Sequence, residues 1–204
     1  MKTVLDDLEI APLVIQWPPT IDMTEDQFFD FCQINHDLRI ERTSQGDIII
    51  MAPAAGEASS RNLGLARQLG NWALRDGSGV AFDSSGGFTL PNGAVRSPDA
   101  AWVRKARLKS LTKKQKQQFL PLCPDFVVEL LSPSDRLSTA KQKMQEYLEN
   151  GARLGWLLDP QHRKVYVYCP GAEVRRLDNP KTLSGDPVLP GFVLDLKEIW
   201  DPGF

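Results

Sequence analysis

The run Phe126-Val127-Val128-Glu129-Leu130-Leu131 constrains this chain more than any other segment, because it is apolar except for one carboxylate. Side chains alternate faces along a strand, so Val127, Glu129 and Leu131 point one way and Phe126, Val128 and Leu130 the other. A strand that is apolar on both faces lies inside a sheet covered on both sides, the habit of α/β domains. Within it Glu129 is the anomaly. Burying an ionised carboxylate without a partner costs several kcal/mol, so a cation, a set of hydrogen bonds or a raised pKa has to compensate.

A second acid repeats the pattern. Asp99 follows Pro98 and leads Ala100-Ala101-Trp102-Val103, again a lone carboxylate at the head of an apolar strand. If the two strands are neighbours, Asp99 and Glu129 can share one cation. Magnesium takes oxygen ligands, often one or two carboxylates completed by waters and a substrate phosphate, so an Asp and a Glu suffice for a hydrolytic site. Spacing alone leaves open a plainer reading, in which both acids cap turns or pair with lysines.

The rest of the chain reads as one α/β domain. Its 204 residues are enough for two or three packed layers but not for a second full domain. Residues 1–23, apolar in patches at Leu13, Val14, Ile15 and Trp17 and ending in Trp17-Pro18-Pro19, read as an N-terminal arm before a single domain over 24–204. Thr24 with Gln27 fits a capping box that opens a short helix. Segments 39–43 and 47–52 form a hairpin around Ser44-Gln45-Gly46. Leu65, Leu69 and Trp72 recur at helical spacing over 57–75, with a stop at Asp76-Gly77. Strands are expected at 80–82, 87–90, 94–103, 126–131, 154–158 and 164–168, and a second helix at 138–150, closed by Gly151. A further short strand and a closure fill the proline- and glycine-rich C-terminal piece.

Composition removes several function classes. A net charge of -2 and a pI near 5.7 lack the basic balance common in strong non-specific nucleic-acid binders. Cys32, Cys123 and Cys169 are odd in number and far apart, which signals neither a disulfide framework nor a CxxC zinc site. His36 and His162 cannot supply a His-rich zinc set. No apolar run approaches the roughly 20 residues of a membrane span, and no secretory leader is evident, so a cytoplasmic protein without membrane attachment is expected. GxxxxGK[ST] and GxSxG motifs are lacking, which disfavours P-loop and serine-hydrolase chemistry. The basic concentration from Arg104 through Lys105, Arg107, Lys109, Lys113 and Lys114 to Lys116 suits a nucleic-acid backbone, but its interspersed glutamines equally suit a solvated helix.

Several ordered segments carry a resemblance: Ser97-Pro98-Asp99-Ala100-Ala101-Trp102-Val103, then Pro124-Asp125-Phe126 through Ser132-Pro133-Ser134, then Lys143-Met144-Gln145-Glu146-Tyr147, Gly151, and Gly155-Trp156-Leu157-Leu158-Asp159-Pro160. From about Thr24 to Tyr168 the chain resembles the Uma-type restriction endonucleases of the PD-(D/E)XK superfamily. The resemblance implies a restriction-endonuclease-like αβββαβ core with a mixed central sheet flanked by helices. It also implies Mg²⁺ (or Mn²⁺) and hydrolysis of nucleic-acid phosphodiesters. DNA is the expected substrate, with RNA left open.

Residue by residue, Asp99 and Glu129 fall on the two strand acids that bind the metal. The superfamily's lysine would sit two residues after the glutamate, where this chain has Leu131. The resemblance moves it to the next helix, where Lys143 is the match, although helical geometry alone does not separate Lys143 from Lys141. Thr139 stands where many relatives place an aspartate. Glu57 resembles the acid carried on the first core helix of many such nucleases and would assist catalysis, unless it is simply an acid favoured by the helix dipole. Glu41 is its rival from a strand. Ser132, Ser134 and Asp135 are expected to cap the second helix. Many nucleases of this superfamily cut as dimers, so the apolar arm points to a homodimer. Leu131 and Thr139 keep alive the alternative of a catalytically idle binding or assembly module.

Overall fold

The computed structural model describes residues 12–16 and 23–203. The Trp17-Pro18-Pro19 stop and most of the arm lie outside the described residues. Strand β1 (Leu13–Ile15) precedes helix α1 (Glu25–Ile34), the hairpin β2 (Arg39–Arg42) and β3 (Ile48–Met51), and the long helix α2 (Gly56–Asp76). Strands β4 (Gly79–Asp83), β5 (Phe88–Thr89), β6 (Val95–Arg96) and β7 (Ala100–Arg104) follow, then the short helices α3 (Lys105–Lys109) and α4 (Lys113–Lys116). Next come β8 (Phe126–Leu130), α5 (Leu137–Glu149), β9 (Leu154–Asp159), β10 (Lys164–Tyr168) and β11 (Arg175–Asp178). The pair β12 (Thr182–Ser184) and β13 (Val193–Asp195) and the helix α6 (Lys197–Trp200) complete the order.

The central sheet runs β11-β10-β9-β8-β7-β4. It is mixed: β8 and β9 are parallel, and every other neighbouring pair is antiparallel. Parallel neighbours need a long crossover, which α5 supplies. The strand that carries Glu129 lies third from one edge, with sheet on either side and helices over both faces. On one face Trp102, Phe126, Val128 and Trp156 meet Leu65, Leu69, Trp72 and Ala73 of α2. On the other Ala101, Val127 and Leu157 meet Met144 and Tyr147 of α5. Each of these large apolar side chains contributes about 1.5–3 kcal/mol on full burial. α2 ends where the sequence puts its stop, on Gly77 in the left-handed region (φ 72°).

A second, antiparallel sheet has the order β1-β3-β2-β6-β5 and buries Phe28, Ile40, Ile48 and Val95. The Thr24–Gln27 capping box opens α1 as expected. Part of the arm is sheet: Leu13, Val14 and Ile15 pair with Ile50, Ile49 and Ile48. The single strand expected over 94–103 is two. β6 belongs to the smaller sheet and β7 to the central one, and Ser97-Pro98-Asp99 carries the chain across. Pro98 has no N–H for a ladder, and the Ser97 N–H donates to the Glu41 carboxylate (2.9 Å). This break sets Asp99 free of either ladder.

The basic stretch folds as the two short helices α3 and α4, with Arg107 paired to Asp125 (3.2 Å) and Lys114 to Asp26 (3.0 Å). Both follow the C-terminal end of β7, whereas Asp99 precedes its N-terminal end. A five-residue strand is about 16 Å long, so this cluster and Asp99 sit at opposite ends of the strand. Ser132, Ser134 and Asp135 do not cap α5. Asp135 accepts from the backbone and hydroxyl of Ser132 and closes the turn before the helix, whose N-cap, Arg136, makes no side-chain cap bond. Among the described residues no helix is long and apolar enough to cross a membrane.

Gly79 is a tight point of the core: a Cβ there would lie 2.1 Å from the Trp102 indole. Gly79→Ala is expected to cost about 1–3 kcal/mol as overpacking. Gly155→Ala, whose Cβ would meet the terminal methyl of the unbranched Met144 side chain at 2.4 Å, should cost less. Urea unfolding of both variants checks this, and equal losses would contradict it.

Candidate functional site

Two strands meet the side chain of Lys143 on α5. Its Nζ donates to Glu41 Oε1 of β2 (2.9 Å) and lies 2.9 Å from Glu129 Oε1 of β8. Tyr147, four residues along α5 and so on the same helix face, donates its hydroxyl to the same Glu129 oxygen (2.9 Å). Arg96 of β6 bonds Glu41 Oε2 (3.2 Å) through Nη1 and Glu146 Oε2 (2.6 Å) through Nε. An unbroken chain of polar contacts thus runs Glu146–Arg96–Glu41–Lys143–Glu129, with Glu41 only 2 % exposed.

Asp99 enters from the crossing segment. The β7–β8 register pairs Ala100 with Val128, so Asp99 stands opposite Glu129 one step beyond the paired residues. Its Oδ2 accepts from the Leu130 N–H (2.8 Å), the residue after Glu129. Its Oδ1 accepts from Asn62 Nδ2 of α2 (3.1 Å), and Arg39 Nη2 lies 3.6 Å away. The same Arg39 nitrogen donates to the Ser97 carbonyl (2.9 Å).

Burial and charge set the protonation states. Burial pushes the Glu129 carboxyl up to about 7, Asp99 and Glu41 add to the rise, and Lys143 opposes it. Burial also works against the charge on Glu41, but Lys143 and Arg96, with the bonds from Lys143 and the Ser97 N–H, hold it below the usual range. Burial alone would weaken Lys143 as a base; Glu129 and Glu41 more than reverse that and keep it protonated. Tyr147 is raised well above its ordinary value by burial, then by Glu129 and Glu41, and stays a phenol.

The structure therefore brings Asp99, Glu129 and Lys143 together, and Glu41 with them. It separates the two lysines: Lys141 Nζ sits over the Tyr166 ring, 4.4 Å from its centroid. Position 139 holds a threonine, and the carboxylate that accepts from Lys143 is Glu41. Glu57 is bonded elsewhere: its side chain is 59 % exposed and pairs with Arg61 (2.9 Å). The α2 residue that reaches Asp99 is Asn62, about one and a half turns further on. Asn62, Arg96, Glu146 and Tyr147 escape sequence reasoning. The one local signal is Asn62 itself, a residue ill-suited to a helix interior.

Among the described residues no group of three or more His, Cys, Asp and Glu side chains stands ready as a complete metal cage. Magnesium does not need one, since it keeps several waters beside one or two carboxylates, a requirement that Asp99 and Glu129 meet by type. Two carboxylates, Glu41 and Glu129, flank one ammonium with Asp99 close by, and burial first, then Asp99 and Glu41, raises Glu129 against the pull of Lys143.

The mixed sheet between α2 and α5 is the restriction-endonuclease-like α/β fold. The crystal structure of a putative nuclease of the DUF820 group from Anabaena variabilis matches it with a TM-score of 0.69, at 20% sequence identity, over 87% of this chain and 97% of that one. At such identity the likeness establishes the fold. The chain belongs to the Uma2 family, "Putative restriction endonuclease", whose model matches residues 25–197. No curated protein matches.

Glu129 generates a pH prediction for the metal-free protein. Folded, it keeps its proton up to about pH 7, whereas an unfolded glutamate releases it near pH 4.3. Between those values the folded state binds more protons, so the contribution of Glu129 to stability falls as pH rises. Melting temperature in a chelator should therefore decline more steeply from about pH 5 to about pH 8 in the wild type than in Glu129→Gln. Parallel profiles would contradict the assignment.

Proposed function

We propose that this chain is a metal-dependent endonuclease that hydrolyses phosphodiester bonds of nucleic acid, DNA foremost. Asp99 and Glu129 hold one Mg²⁺ or Mn²⁺, and Lys143 serves the attacking water. The observation that carries this reading is the Lys143 ammonium, 2.9 Å from the Glu129 carboxylate on the strand beside Asp99. A cation, two strand acids and a lysine are the parts that phosphodiester hydrolysis needs.

When bound, Mg²⁺ supplies Lewis-acid neutralisation of the charge that builds on the phosphodiester. Lys143 keeps its proton and therefore acts as a donor: it can align a water oxygen or hold a phosphoryl oxygen, but it does not abstract a proton. Glu41 fixes its direction, and Tyr147 fixes Glu129. Arg39, a second cation beside Asp99, offers positive charge to an approaching phosphate. Glu57 has no part in this assignment. The other reading, an idle nuclease fold that binds without cutting, draws on Leu131, which packs, partly buried, against the core where the superfamily carries its lysine.

Cleavage of closed-circular DNA with Mn²⁺ or Mg²⁺, and of RNA in parallel, tests the reading together with calorimetric titration of Mn²⁺. Asp99→Ala should abolish metal binding and cleavage. Lys143→Ala should lower cleavage by about 10²–10³-fold while binding Mn²⁺ at least as tightly, because a cation then compensates the acids that lost their ammonium. Lys141→Ala should change little. Metal binding without cleavage of any nucleic acid would favour the idle module, and equal effects of the two lysine changes would refute the role given to Lys143. Leu13 and Val14, exposed on the edge strand β1, support self-association as a homodimer; sedimentation that finds only monomer at micromolar concentration would dismiss it.

A further inference from the structure

Two buried polar atoms beside Asp99 lack a hydrogen-bond partner, Arg39 Nε and Asn62 Oδ1, and only the second is an acceptor that a cation could use. Asn62 Oδ1 is shielded from solvent and has no hydrogen-bond partner, while Nδ2 of the same amide donates to Asp99 Oδ1 (3.1 Å). A buried acceptor without a partner costs about 1–3 kcal/mol, so its presence calls for a physical reason. Asparagine is also a poor choice for the interior of a 21-residue helix. Its neighbours on α2 have ordinary explanations: Arg61 bonds the Ile199 carbonyl and Glu57, and Leu65 is core. Asn62 has none in packing alone.

We infer that Asn62 is a direct ligand of the cation held by Asp99, contributing its Oδ1 as a neutral oxygen while its Nδ2 holds the Asp99 carboxylate in place. The inference rests on the metal site proposed above and adds a third protein donor, from the helix on the far side of Asp99 from Glu129's partner Lys143. A neutral amide oxygen suits this position. Mg²⁺ and Mn²⁺ accept amide oxygens along with carboxylates, and a third carboxylate beside Asp99 would stand uncompensated whenever the ion is away. The amide is pinned at its nitrogen end, and its oxygen has no competing donor.

Two substitutions separate a ligand from a residue that merely positions Asp99. Asn62→Ala removes both functions and should weaken Mn²⁺ binding by roughly 10–100-fold, the usual range for supporting groups around a metal. Asn62→Asp removes the N–H donor but leaves an oxygen, now charged, in the same place. As a ligand it should bind Mn²⁺ at least as tightly as the wild type, whereas a positioning role predicts a loss like that of alanine. Titration calorimetry reads both, with no need for turnover. Affinity of Asn62→Asp below that of the wild type, or unchanged affinity in Asn62→Ala, overturns the inference. If the wild type itself binds no Mn²⁺, or Asp99→Ala binds it equally well, the metal-site reading fails instead.

Asn62→Cys gives a readout that does not depend on the stability of the aspartate variant. A thiolate is a soft ligand that prefers soft ions, so Cd²⁺ should produce an ultraviolet sulfur-to-cadmium absorption missing from the wild type, whose Cys32, Cys123 and Cys169 serve as the background. Loss of that band on adding Asp99→Ala places the sulfur and Asp99 on one ion. No new band would overturn the direct contact.

Discussion

The ammonium of Lys143 between the carboxylates of Glu41 and Glu129 is the interaction on which the rest of the molecule's functional architecture depends. It joins the smaller sheet, the central sheet and α5 at one nitrogen. Taking such charges out of water is expensive, and the geometry of a buried ion pair has to be good before attraction repays the desolvation. Here the repayment is spread along a chain: Arg96 satisfies the second oxygen of Glu41 and extends to Glu146, while Tyr147 caps Glu129. Removing any middle member would leave a buried charge without its counterpart. A cluster of this kind adds little net stability for its cost, but it fixes the relative position of the elements that carry it.

The layout around that cluster also sets where positive charge stands relative to the acids. The lysine-rich α3 and α4 lie at the far end of β7 and are partly consumed by pairing with Asp125 and Asp26. The positive charge nearest the acids comes from the largely buried Lys143 and Arg96 and the partly exposed Arg39.

Much of the framework was legible in the sequence because its signals are local. The capping box at Thr24, the hairpin around Gly46, the glycine stop after α2 and the doubly apolar run around Glu129 each follow from a few adjacent residues. What was not legible depends on distance along the chain. The expected strand over 94–103 had no local mark beyond Pro98 to say that its halves belong to different sheets. Lys141 and Lys143 flank the same helical stripe, and only the tertiary neighbours, Tyr166 for one and two carboxylates for the other, tell them apart. Glu57 stands out through a local signal, its position near a helix start, and its pairing with Arg61 becomes visible only in the fold. Asn62 was missed because its partner, Asp99, lies 37 residues away.

Glu41 and Lys143 are 102 residues apart in the chain. Local pieces such as the β2–β3 hairpin or the α5–β9 unit can form early, since closing a short loop costs little entropy, whereas a contact of this span waits until both sheets have docked. Until then the acids remain hydrated and separate. The crossing at Ser97-Pro98-Asp99 makes the same demand on Asp99. The polar centre is thus among the last features to assemble, and a nascent or partly folded chain carries the acids without the constellation.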